Sequence, residues 1–242
     1  MAPRRRENGR ASMMQNGHTE PSNRRGVRVL VTAFGAFPGA PTNPTEAIVR
    51  RLRRLPALAL ADIELRVAVM PVRFAGVADR LEALLGQHRP DIVVHLGLAG
   101  RRRVISIEAQ ARNRLTVLHP DADGAMNRQF AVAPGGPALR RARWNPVQLA
   151  SAIHDDGIPV AVSRDAGDYL CNQTLYVTLD LFDGPVGFIH VPRLRRRRPI
   201  PRPSADRRPR STPLPSLSEA TQAVAIAVRL LARTQRFSRK AQ

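Results

Sequence analysis

Cys171 is the only cysteine of the 242-residue chain. It stands in Ala166-Gly167-Asp168-Tyr169-Leu170-Cys171-Asn172-Gln173, and His190 follows in Gly187-Phe188-Ile189-His190-Val191-Pro192. A lone cysteine cannot close an internal disulfide, so Cys171 is either a small buried hydrophobe or a nucleophile. The local pattern favours the nucleophile. An Ala-Gly-Asp turn precedes it, and Tyr169 to Phe182 reads as an apolar helix. The sulfur then falls in the first turn, where the helix dipole and free N–H groups stabilise a thiolate. The apolar run Val186 to Val191 reads as a strand with His190 at its C-terminal end, the end at which sites of open α/β sheets collect.

A cysteine nucleophile needs a base, and the base needs a group to orient it. His190 fills the first role. Glu108, in Ile105-Ser106-Ile107-Glu108-Ala109-Gln110-Ala111-Arg112-Asn113, is the best carboxylate for the second. It stands in an apolar context, where an acid requires a partner. The competing reading is a salt bridge to Arg101, Arg102, Arg103 or Arg112. The other histidines (His18, His88, His95, His119, His154) show no ligand spacing, so neither a metal nor another cofactor is expected.

The elements that must carry these residues alternate between strand and helix. Val27 to Phe34 is a buried strand, followed by a Gly/Pro loop. Asn43-Pro44 caps a helix continuing from Thr45 to Leu55. Ile63 to Met70 and Ile92 to Leu98 are further strands, separated by a helix over Phe74 to Gln87 with apolar residues at helical spacing. Ile105 to Leu115 is a strand or extended segment. Thr116 to Arg143 reads as long loops with one short hairpin at most. Asn145-Pro146 opens a helix to Asp155, Val160 to Val162 is a short strand, and a final helix runs from Ser216 to Thr234 with Ser218 as its cap. This order predicts a single-domain α/β/α sandwich around a mixed, mostly parallel sheet.

Apolar residues make up 43% of the chain, enough for a globular body, while the formal charge is +20. Arginine carries nearly all of it, Lys240 being the only lysine. Phosphate contacts to nucleic acid are one explanation. Biased usage on solvated faces and tails is the other and is favoured, because aromatics are only 4% and do not alternate with the basic residues. The charge gathers in residues 1–25, expected to be a disordered basic tail, and in an Arg/Pro-rich loop, 193–213. The domain is expected over 26–236, with a tail at 237–242. No apolar run approaches the ~20 residues that span a bilayer, and the N-terminus lacks a secretory pattern. One cysteine fits a reducing compartment, the cytoplasm by default. Met13 and Met14 leave a later start open.

Blocks of this sequence resemble the pyroglutamyl peptidase I (pyrrolidone carboxyl peptidase) family of cysteine peptidases. They are Val29 to Phe37 with Asn43-Pro44-Thr45; Pro90-Asp91-Ile92 through Ala99 with Ile105-Ser106-Ile107-Glu108; Ala166-Gly167 to Cys171-Asn172 with Tyr176; Gly187 to Pro192; and Pro215-Ser216-Leu217-Ser218. The resemblance covers about residues 27–234. It implies Cys171 as nucleophile, His190 as general base and acid, and Glu108 as the residue orienting His190. It also implies that Phe34 and Phe37 line a pocket for the pyroglutamyl ring, against a competing reading as plain core packing. The implied partners are pyroglutamyl peptides, with no specific nucleic acid and no membrane. A dimer or tetramer remains open. Ala33 and Pro38 replace glycines common in the family, and Arg193-Leu194-Arg195-Arg196-Arg197-Arg198 replaces its usual continuation after the histidine block. That second departure keeps a catalytically weak member as one alternative, and the Arg tracts at 1–25 and 193–213 keep an Arg-rich nucleic-acid-binding protein as another.

Overall fold

The computed structural model describes residues 26–195 and 212–240. The expected basic tail, most of the Arg/Pro loop and residues 241–242 lie outside the described residues. The elements run β1 (Val27–Phe34), α1 (Pro44–Leu52), α2 (Pro56–Leu60), β2 (Ile63–Met70), α3 (Val77–His88), β3 (Ile92–Leu98), β4 (Ile105–Glu108), β5 (Gln110–Arg112), β6 (Leu139–Arg141), α4 (Pro146–Asp155), β7 (Val160–Ser163), α5 (Leu170–Leu181), β8 (Val186–Val191) and α6 (Leu217–Lys240).

A six-stranded sheet of order β2-β1-β3-β8-β4-β7 forms the middle layer. Strands β2, β1, β3 and β8 are mutually parallel. β4 runs antiparallel to β8 and parallel to β7. The parallel strands are buried on both faces, which is why they read as continuous apolar runs. Alternate residues split between two cores. Val29, Val31, Val94, Leu96, Ile107 and Ile189 face α1, α4 and α6. Leu30, Phe34, Val93, Val186 and Phe188 face α3 and α5. The result is the expected α/β/α sandwich. Among the described residues no helix is long and apolar enough to cross a membrane.

Several boundaries differ from expectation, each for a local reason. The first helix stops at Leu52, and Pro56 starts a separate short turn of helix. A proline cannot supply the N–H that continuation needs. The third helix begins at Val77 because Gly76 holds φ +73°, a left-handed conformation outside any right-handed helix. The cap of α6 is Ser216 and not Ser218. Ser216 Oγ accepts from Glu219 N, and Glu219 Oε2 accepts from Ser216 N, a reciprocal capping box. α6 also continues to Lys240, so residues 237–240 belong to the helix and not to a tail. The short hairpin expected within 116–143 does not form: β6 pairs antiparallel with β5, which lies upstream of that stretch.

Candidate active site

The α3/α5 face of the sheet carries the predicted chemistry. In register, Gly97 of β3 lies beside His190 of β8, and Ser106 of β4 lies across from His190. The period of two along each strand therefore puts His190 and Glu108 on the same face as Phe188. His190 Nδ1 and Glu108 Oε1 are 2.8 Å apart. Both side chains are buried, and the His190 ring packs against Phe188 at 4.6 Å between centroids. The carboxylate accepts the Nδ1–H, which fixes the tautomer and leaves the Nε2 lone pair available as a base.

Arg102 completes the support. Its Nη1 donates to Glu108 Oε1 at 2.5 Å, and its Nη2 donates to Ser163 Oγ at 3.2 Å and to Asp165 O at 2.6 Å. Both sequence readings of Glu108 are thus realised at once: it pairs with an arginine and it holds the histidine. Trp144 Nε1 donates to the Glu108 backbone carbonyl, fixing the strand end from the opposite side.

Cys171 is the second residue of α5, after an extended Tyr169. Its helix start is held by Asn172, whose Oδ1 accepts from Arg112 N while its Nδ2 donates to Arg112 O and Arg114 O, each at 2.8 Å. The sulfur lies against Gly97: a Cβ added there would stand 2.7 Å from Sγ and 2.6 Å from Phe188 Cζ. Only a glycine permits that approach, so the backbone neighbour of His190 is also the floor under the sulfur.

Electrostatics differ from the sequence expectation. Burial pushes the Cys171 thiol up to about 12, the nearby Glu108 charge adds to this, and Arg102 and the Cys171 N–H only partly oppose it. Burial also holds His190 below its ordinary value, although its bond to Glu108 pulls the other way. Both shifts favour the neutral thiol and the neutral imidazole near neutral pH. Desolvation outweighs the two influences that favour the thiolate, the Arg102 charge and the Cys171 N–H.

A small pocket of ≈ 40 Å³ opens at the sulfur, lined by Phe34, Phe37, Asn43, Val72, Leu98, Tyr169, Leu170 and Cys171. Phe34 is both core and wall, while Phe37 is half-buried on the loop after β1. Asn43 caps α1 through Thr45 N and donates its Nδ2 to Gly35 O, bracing that loop. Tyr169 donates its hydroxyl to Pro120 O and meets Phe74 edge to face. Gly97, Val72, Tyr169 and Asn172 were not singled out from sequence. Asn172 offered a signal, being an amide inside an apolar helix, where a buried polar group must find partners. Among the described residues no group of histidine, cysteine, aspartate and glutamate is arranged to hold a metal.

The family model for pyroglutamyl peptidase matches residues 27–234. The chain belongs to the pyroglutamyl peptidase family. The pyrrolidone-carboxylate peptidase of Pyrococcus furiosus is 35% identical over 171 residues, covering 69% of this chain and 81% of that protein. The Bacillus subtilis protein of the same name is 28% identical over 204 residues, 82% of this chain and 91% of its own. Among solved structures, the pyrrolidone carboxyl peptidase of Thermus thermophilus superposes with a TM-score of 0.69 at 31% identity, covering 83% of this chain and 98% of that one. The pyroglutamyl peptidase I of Bacillus amyloliquefaciens gives 0.74 at 29% identity, covering 86% and 98%. The matched span of the family model contains Cys171, His190, Glu108, Phe34 and Phe37.

Proposed function

We propose that this protein is a cysteine peptidase that removes an N-terminal pyroglutamyl residue from peptides. The observation that carries the reading is the His190–Glu108 bond together with a cysteine whose sulfur packs on Gly97, the strand neighbour of His190, and borders an apolar pocket. The pyroglutamyl ring is a neutral, flat lactam, suited to aromatic walls with a few backbone groups for its N–H and C=O. An ordinary charged N-terminus entering the same walls would lose its hydration without a partner.

In the proposed mechanism Cys171 Sγ attacks the pyroglutamyl carbonyl carbon as its proton passes to His190 Nε2. Coupling the two events avoids a separate buried thiolate, which the raised thiol pKa disfavours. The oxyanion is held by N–H groups of the first turn of α5, which have no partner within the helix. His190 then donates its proton to the leaving amine, the C–N bond breaks, and a thioester remains. Water gives a proton to His190 and attacks the thioester; pyroglutamate leaves and the thiol is restored. Glu108 acts through His190, stabilising the imidazolium that forms at each step. The His190–Glu108–Arg102 contacts are present among the described residues, which supports an active enzyme over a weakened one. Reducing surroundings, such as the cytoplasm, suit its single free thiol.

The test is hydrolysis of matched peptides that begin with pyroglutamate or with proline. The proposal expects cleavage of the first only; equal cleavage of both would show that the pocket does not select the lactam.

A further inference from the structure

We infer that arginines on the His190 side of the site select peptides whose residue after the pyroglutamyl group is acidic. This rests on the proposed peptidase reading. His190 protonates the leaving amine, so the departing peptide passes over the C-terminal ends of β3 and β8. Those ends are tied together by Ala99 N donating to Val191 O at 2.9 Å. Arg193 follows two residues after Val191, is exposed, and lies over the β3–β4 connection. Its Nε is 3.3 Å from the place a Cβ on Gly100 would occupy. Gly100 is only three residues from Gly97, the glycine under the sulfur, a chain span of at most about 11 Å. Arg101 is the next residue of the same connection and is also exposed.

The neighbouring charges do not cancel this patch. Arg103 donates to the Thr212 carbonyl, which leaves its charge in place. Glu108 is buried and already faces Arg102, and Glu219 faces Arg195. Asp165 is an exposed carboxylate whose charge reaches His190; it accepts from Gly167 N, and the exposed Arg164 stands next to it in the chain. Among the described residues Arg101 and Arg193 pair with no carboxylate. A substrate carboxylate about 10 Å from two guanidiniums in water is captured about fourfold better than a neutral side chain, before screening. At ~0.15 M salt the Debye length falls to ~8 Å, and most of that advantage goes.

The experiment measures kcat/KM for two peptides differing only at the second residue, pyroglutamyl-Glu and pyroglutamyl-Gln, at 10 mM and 150 mM salt. The enzymes are the wild type, the Arg101→Gln/Arg193→Gln double variant, and Arg101→Lys/Arg193→Lys, which keeps the charge. The expected result is an advantage of about fourfold for the Glu peptide at low salt, lost at 150 mM. It should also be lost in the glutamine double variant and kept by the lysine one, with the Gln peptide cleaved equally by all three. Equal rates for the two peptides at low salt, or an advantage that survives in the glutamine double variant, would overturn the inference while leaving the peptidase reading intact. Failure of the wild type to cleave the Gln peptide would overturn both.

Discussion

Gly97→Ala should cripple the enzyme while leaving every reacting group chemically intact. The added Cβ would stand 2.7 Å from Cys171 Sγ and 2.6 Å from Phe188 Cζ. Carbon and sulfur need at least ~3.5 Å, so one or both must retreat by about 0.8 Å. Neither has an easy exit. Phe188 is fully buried and supports the His190 ring, and the start of α5 is tied down by the Asn172 amide. Overpacking of this kind costs about 1–3 kcal/mol, a few degrees in Tm for a domain of this size. The catalytic loss should be larger in proportion, because a displacement near 1 Å between reacting groups costs about 10²-fold. A fluorogenic pyroglutamyl-coumarin amide reports kcat and KM, and thermal unfolding reports stability. Gly86→Ala is the control: Gly86 is exposed within α3 and an added Cβ would meet nothing within 4 Å. It should gain about 0.5–1 kcal/mol and keep full activity. A Gly97→Ala enzyme that folds and turns over at the wild-type rate would refute the placement of the sulfur against β3.

Other expectations follow from the same geometry. Cys171→Ala and His190→Ala should each lose at least about 10⁴ in kcat/KM, and Glu108→Gln less, since it positions His190 and does not react; comparable losses in all three would contradict that division. Glu108→Gln should also move the acidic limb of the pH profile to lower pH, because the Glu108 bond and charge are what raise His190 against burial; an upward shift would refute the pairing. Iodoacetamide labelling of the free enzyme should keep accelerating with pH well past neutrality, since burial pushes the Cys171 thiol up to about 12; a plateau near pH 7 would show a resting thiolate. Burial also lowers His95 to about 3, so it stays neutral in the folded chain while the unfolded chain protonates near pH 6.5. Stability from this group is therefore full above pH 6.5 and falls by about 1.4 kcal/mol per pH unit as acid is added, down to about pH 3. His95→Gln, which can still accept from Thr32 and donate to Thr178, should flatten that slope in a Tm-versus-pH series.

The elements with strong periodicity were legible, and so was the order that makes a three-layer sandwich. β1, β2, β3 and β8 are apolar runs bounded by turn residues, and their ends match the reading from sequence. The caps at Asn43 and Asn145 were equally plain, because each is followed by proline at the first helical position. Ser216 and Glu219 have the capping-box spacing, but Ser218 lies closer to the apolar run and is the more conspicuous cap in the sequence. The helix start at Val77 was hidden because Phe74 keeps helical spacing with Val77 and Leu81, while only the backbone of Gly76 breaks the helix. In the site, residue types and order pointed to Cys171, His190 and Glu108. The partnership of Glu108 with Arg102 was named among four arginines but not distinguished, since linear spacing does not say which guanidinium turns inward. The role of Gly97 depends on a contact across seventy-four positions of sequence, from β3 to α5, and no local pattern encodes it. The upward shift of the thiol is equally hidden: the helix start is visible in sequence, whereas the burial that raises the thiol comes from residues far apart in the chain.

The most direct test of the account is to trap the thioester. Wild-type enzyme mixed with a pyroglutamyl substrate and quenched in acid within one turnover should carry a single pyroglutamyl acyl group, and peptide mapping by mass spectrometry should place it on Cys171. Product release with no adduct in the quenched enzyme, together with turnover retained in Cys171→Ala, would contradict a cysteine nucleophile at this site.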